Sequence, residues 1–269
     1  MQIGLPNPAA ILRDLERHRY LLGQLVKRDV LLRYRGAMFG VLWIFLSPLI
    51  MLGIFAFVFG QIFQAKWPQQ EIGIPFWLLL YCGLIAFNIF AETVARSPSA
   101  VRGQPNYVKK IIFPVGILPV VPLGAALVHA TFNFLILLAA LLWVGHVHVS
   151  VFLFPLLVLP VIFLALGFAW FLSAWGVFIK DMSQIVPVFV QMLMFLSPVF
   201  YPASVVPAAL QPLYRYNPLS TIIESLRASV VGHPIDWQAW LLALTVSLIA
   251  AVLGYLFFQH SRDEFADAL

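Results

Sequence analysis

Few side chains in this sequence stand at spacings that do covalent chemistry. His146 and His148 flank Val147 in a turn, but no carboxylate or thiol stands beside them. Two imidazoles alone are a poor metal site. Cys82 is the single cysteine, so it forms no intrachain disulfide, and its apolar surroundings read as packing. Neither H-E-x-x-H nor C-x-x-C occurs, and the P-loop pattern G-x-x-x-x-G-K-S/T is absent. The remaining spacings suit binding and packing. Glu224 and Arg227 stand at i,i+3 and can pair on one helix face. His129 and Asn133, at i,i+4, can hydrogen-bond between helices. The sequence also holds 24 Phe, 8 Trp and 8 Tyr. Their faces can stack on sugar rings while tolerating sliding, or can simply meet lipid.

The elements that position these residues are membrane helices. Of 269 residues, 62% are hydrophobic and 10% charged, with a mean hydropathy of +0.95. A soluble domain carries about 25% charged residues, so lipid is the expected solvent. Crossing about 30 Å of hydrocarbon takes roughly 20 helical residues. Six spans are expected: 37–65, 72–91, two within the uncharged stretch 111–179, 182–201 and 237–259. The turn of the third and fourth falls at Gly145-His146-Val147-His148. The first apolar run is too long for a secretory signal and reads as a signal anchor. Absence of intramembrane carboxylates argues against proton- or sodium-coupled transport. The net charge of +5 is no nucleic-acid signal, because the basic residues cluster beside spans.

Those basic residues set the expected orientation. Residues 1–36 hold seven Lys/Arg, and Arg96, Arg102, Lys109, Lys110, Lys180 and Arg262 fall on the same side of a six-span chain. Only Lys66, Arg215 and Arg227 fall opposite. Both termini are expected in the cytoplasm. Residues 1–36 form a cytoplasmic segment, 37–259 the transmembrane domain and 260–269 a tail. Ile11–Val30 reads as an amphipathic helix with a basic face, interrupted by Arg19 and Asp29. The loop 92–114 is long, basic and proline-broken, suited to docking a soluble partner. Between 197 and 234 the chain is apolar but cut by five prolines. Two short helices, within 202–210 and 218–231, that dip into the outer leaflet are the expected solution.

Three segments carry a family resemblance: 25–49 (LVKRDVLLRYRGAMFGVLWIFLSPL), 106–120 (NYVKKIIFPVGILPV) and 216–227 (YNPLSTIIESLR). Together they resemble the membrane subunits of type-2 ABC exporters, in the branch that exports O-antigen, capsule or teichoic acid chains. The family opening R-D…R-Y…S-x-L-G-x-x-W-x-x-x-x-P is met except at one junction, where Gly36-Ala37-Met38-Phe39-Gly40 stands.

The resemblance implies an all-α membrane fold. Six spans, an N-terminal interface helix and two short re-entrant gate helices before the last span belong to it. It implies a homodimer around a channel lined by spans 1, 2 and 5, with Phe39, Trp43, Phe189, Phe195 and Tyr201 as lining candidates. Two separate ATP-binding cassette subunits would bind ATP and Mg, and this chain would hold no cofactor. Lys27, Arg28, Arg96, Arg102, Tyr107, Lys109 and Lys110 would couple to them. Pro202, Tyr216, Asn217, Pro218, Glu224 and Arg227 would form the periplasmic gate. The cargo would be a lipid-linked polysaccharide, O-antigen first, crossing the bacterial inner membrane. Export of drugs or small lipids keeps the fold and changes the cargo. A six-span acyltransferase would need a polar catalytic cluster, and a stand-alone channel would need no ATPase.

Overall fold

The computed structural model describes residues 13, 15–64, 73–108 and 113–268. Among these, every regular element is helical. Helix α1 covers Arg19–Arg33, and α2 runs over Gly40–Ile62. Helices α3 (Phe76–Arg102), α4 (Val115–Val144) and α5 (Val149–Phe178) follow. After α6 (Met182–Leu196) come two short helices, α7 (Gln211–Tyr216) and α8 (Pro218–Val231), and then α9 (Trp237–Ser261). Five helices are long and apolar enough to cross a membrane: α2, α3, α4, α5 and the last, counted through Glu264. Expected span 182–201 is different. Its helix α6 has 15 residues. At 1.5 Å per residue it covers about 22 Å, short of a full hydrocarbon crossing.

Helix α3 is the centre of the fold, packed by α4, α5, α6 and α8. Its first half is apolar on every face, as a buried helix must be. It runs on past the expected span end at Ala91, so residues 92–102, expected in a loop, are helical through Pro98. Neighbouring hydroxyls serve carbonyls around that proline. Thr93 donates to Ile89 O, Ser97 to Thr93 O, and Ser173 of α5 to Ser97 O at 2.7 Å.

The tightest crossings use glycine. A Cβ on Gly254 of α9 would lie 2.1 Å from the Gly167 carbonyl oxygen of α5. A Cβ on Gly176 of α5 would lie 2.1 Å from the Pro98 oxygen of α3. These three helices therefore touch backbone to backbone, the small-residue packing that lipid favours. Trp170 of α5 locks the bundle further, donating to Gly116 O at 3.0 Å and meeting Tyr255 edge-on.

Helix ends follow local chemistry. Gly145 takes a left-handed φ of 81° to end α4 where the turn is expected. Asp236 caps α9 by accepting from Ala239 N at 3.0 Å. Helix α2 is less regular. Pro48 lies inside it, and Ala56–Ile62 widens into a π-helix.

Candidate functional site

Two polar clusters sit at opposite ends of α3, and two apolar strips lie exposed beside it. The first cluster joins α1, α3 and α4. Arg96 donates to both Asp29 oxygens at 2.6 and 2.7 Å. Arg33 reaches Glu92 at 2.5 Å and His129 Nδ1 at 3.2 Å. Glu92 also lies 2.9 Å from His129 Nδ1, and Tyr34 OH lies 3.2 Å from His129 Nε2. Partial burial raises the Tyr34 phenol above its ordinary value, so it stays a neutral hydroxyl. Asp29, which breaks the expected basic face of α1, thus turns inward to hold an arginine of α3.

Arg28 makes the next contact. It donates to Tyr107 OH at 2.9 Å and Gln104 Oε1 at 3.1 Å, with its guanidinium 5.7 Å from the Tyr107 ring centre. Tyr107 stacks on Phe113 at 4.5 Å. The segment after α3 is therefore strapped to α1. Lys27 is exposed, and Arg102 is half-buried in the last turn of α3. Lys109 and Lys110 lie outside the described residues, as do Ile11 and Leu12.

The second cluster centres on Arg227, 3% exposed in α8. It donates to Leu79 O at 3.2 Å, Pro198 O at 2.6 Å, Tyr201 O at 3.3 Å and Val199 O, and it meets Glu224 at 3.1 Å. One guanidinium thus closes the carbonyls that follow α6 onto α3 and α8. Glu224 also accepts from Ala203 N at 3.2 Å. Asn217 caps α8 through Leu219 N at 3.0 Å, with Pro218 as its first residue. Tyr201 OH bonds Phe195 O at 2.7 Å and Tyr214 OH at 2.6 Å. Pro202 is buried, and Tyr216 is 76% exposed. The first short helix falls at Gln211–Tyr216 rather than within 202–210. Pro202 is itself extended, Pro207 holds Val206 extended, and only Ala203–Val205 makes a single 3-10 turn between them.

The exposed strips lie on α2 and α6. Phe39 is 51% exposed, and Trp43 is half-buried against it, edge-on. On α6, Ile185, Val188, Phe189, Met192 and Phe195 share one exposed face, while Met182, Val186 and Val190 pack inward. Span 2, expected to line a channel, has little surface left for one. The most apolar stretch of α3 is 78% buried within the chain, against 11% for α2.

Sequence reasoning missed Asp29, Arg33 and Glu92. The signal was present: two acids inside otherwise basic segments, Asp29 in 27–35 and Glu92 in 92–102. Among the described residues no three His, Cys, Asp or Glu stand close enough to hold a metal ion. His148 instead bonds Ser150 Oγ at 2.6 Å, and Ser150 donates to Ser229 O.

This arrangement, with welded helices, charged straps at both ends and exposed aromatic strips, suits transport by rearrangement rather than bond chemistry. Known proteins agree. The chain is 28% identical over 267 residues to an O-antigen export system permease protein of Myxococcus xanthus, covering 96% of this chain and 99% of that protein. A Klebsiella pneumoniae O-antigen export system permease is 22% identical over 93% of this chain and 95% of its own length. A polysialic acid transport protein of Escherichia coli is 27% identical, over 88% and 91%. The ABC-2 type transporter family matches residues 20–231, which span both polar clusters and both aromatic strips, and this multi-pass membrane chain belongs to that family.

Proposed function

We propose that this chain is the permease subunit of an ATP-driven exporter of a lipid-linked polysaccharide, O-antigen first, across the bacterial inner membrane. The observation that carries this reading is the near full-length similarity to O-antigen export permeases. The polysialic acid relative supports a capsule-type chain as the second reading.

The exposed surfaces support a reading of the rest of the assembly. Helix α6 is the sixth crossing, completed by the residues that follow it to Tyr201. An odd number of crossings would scatter the basic residues over both sides, whereas six keep 13 of the 16 Lys/Arg on the side of both termini. Two copies meet along α2 and α6, two apolar helices with a wide face exposed by their own chain. Phe39, Trp43, Phe189 and Phe195 then face a shared conduit, where aromatic faces let sugar rings slide. The sequence has no P-loop, so a separate ATP-binding subunit supplies ATP hydrolysis with Mg. It docks on α1 and on 92–114, with Lys27, Arg102, Lys109 and Lys110 offered to it. Arg28, Arg96 and Tyr107 act one step inside, tying the docking helix to α3. The segment 202–232 closes the far end, pinned by Arg227. Nucleotide binding shifts the balance between closed and open states through contacts that differ between them.

Deletion of the gene tests the reading. Surface polysaccharide should disappear while the lipid-linked chain accumulates inside, and the purified chain should hydrolyse ATP only with a partner subunit. Unchanged surface polysaccharide, or hydrolysis by the chain alone, overturns it.

A further inference from the structure

We infer that a cavity between α2, α3 and α4 is a binding site for a phosphate-headed lipid. It holds about 430 Å³, within the size range of small-ligand sites. Its lining is graded. Arg33, Tyr34, Glu92 and His129 form one end, and Met51, Phe55, Leu84 and Ile85 line the other, where Tyr81 donates to Asn133 Oδ1 at 2.8 Å and so satisfies the polar groups there within the chain. A polar head beside an apolar tail is the chemistry of a membrane amphiphile lying along a helix bundle.

Two further observations point to a ligand. Ser47 of α2 and Asn88 of α3 line the middle of the cavity, are exposed, and have no hydrogen bond to the described residues. Asn88 stands mid-helix at membrane depth, where an amide without a partner costs free energy unless water or a ligand meets it. Among the described residues Arg33 engages only Nη1, on Glu92 and His129, and its side chain is 51% exposed. Its Nη2 and Nε are left to face a head group. Of the lining residues Arg33 carries the guanidinium and Glu92 the carboxylate, and Glu92 divides its oxygens between Arg33, Arg96 and His129. A phosphate suits a guanidinium fork.

The phosphate has two possible sources, a bilayer phospholipid or the isoprenoid diphosphate that carries a glycan. Only the second rests on the exporter reading. Photo-labelling of the purified full chain tests the site and separates the sources. The probes are diazirine-bearing phosphatidic acid, the matching diacylglycerol, and a diazirine-bearing isoprenoid diphosphate, with adducts mapped by mass spectrometry. Phosphate-bearing probes should label 43–55 and 81–92 well above the diacylglycerol. Arg33→Gln should lower that labelling about tenfold, the loss of one charge-assisted contact. Ser47→Trp, which fills the cavity from an exposed position, should abolish it with the melting midpoint unchanged. Labelling by phosphatidic acid alone assigns a bilayer lipid, and preferential isoprenoid labelling assigns the carrier. Equal labelling by diacylglycerol overturns the proposal. So does labelling that survives Ser47→Trp, or a Ser47→Cys variant that crosslinks to a second copy while no probe binds. Co-purification with the ATPase subunit in the same preparations reports separately on the exporter reading.

Discussion

Helices α3, α5 and α9 differ from α2 and α6 in what surrounds them. The first three touch at backbone distance through Gly167, Gly176 and Gly254, with indole and hydroxyl donors fixed on carbonyls. The other two show wide apolar faces to whatever lies outside the chain, and α2 adds a proline and a π-helical stretch. Dispersion drives helix association in lipid, because apolar side chains gain little by leaving hydrocarbon for one another. A helix without close backbone approach is therefore held weakly and can shift at small cost. The difference separates a rigid frame from two movable walls.

The sharpest way to break that comparison is to add volume to each half. Gly254→Val places side-chain atoms against the Gly167 carbonyl, where neither backbone can yield. A loss above about 3 kcal/mol is expected, seen as a collapse of the melting midpoint or of folded yield. Gly53→Ala in α2 meets nothing within 4 Å. It should be neutral or raise stability by up to about 1 kcal/mol, the helix propensity gained. Equal sensitivity at both positions would erase the distinction.

Arg227 comes next, because it fastens a wall to the frame. Arg227→Met leaves the carbonyls of Leu79, Pro198, Val199 and Tyr201 without this donor in a buried site. A cost of about 3 kcal/mol is expected by thermal unfolding. Arg227→Lys should recover only part of it, since one ammonium cannot span four carbonyls in a fixed fork. Full recovery by lysine would mean that charge alone matters there.

The Asp29–Arg96 strap should affect coupling more than stability. The pair is partly exposed, with side chains 25% and 38% accessible, so solvent screening keeps its energy near about 1 kcal/mol or below. A double-mutant cycle of Asp29→Asn and Arg96→Gln should show that modest interaction in unfolding. Permease-stimulated ATP turnover should fall in each single variant and fall little further in the double. Additive losses in turnover would show that the two residues act separately on the partner.

Much of this was legible in residue order. The uncharged runs, the Gly145 turn and the Asn217-Pro218 helix start each obey a local rule, so they are found where the rule places them. The length of α3 was hidden, because Arg96 and Pro98 look like loop residues until Asp29 is present to pair with the first and α5 to pack against the second. Residue order pairs Arg227 only with Glu224, at i,i+3. Its carbonyl partners are backbone atoms up to 148 residues away, and backbone atoms leave no mark in side-chain order. The shortness of α6 was hidden too, since the apolar run continues after the helix ends at Leu196.

The smallest stability effect is expected on α6, and it carries the largest functional contrast. Phe189 and Phe195 are 52% and 61% exposed and lie outside the buried core of their own chain, although Phe195 still stacks on Phe200 at 5.9 Å. Truncation to alanine removes little packing, so each should change stability by no more than about 0.5 kcal/mol. If that face lines the conduit, export of the glycan should still fall in Phe189→Ala, because a sliding sugar loses its stacking surface. Leucine restores the apolar volume without an aromatic face. Phe189→Leu should therefore match alanine in export if stacking is the function, and match wild type if the residue only meets lipid. A pulse-chase of surface polysaccharide, normalised to folded permease, distinguishes these outcomes and decides whether α6 is a wall of the path or a piece of its outer surface.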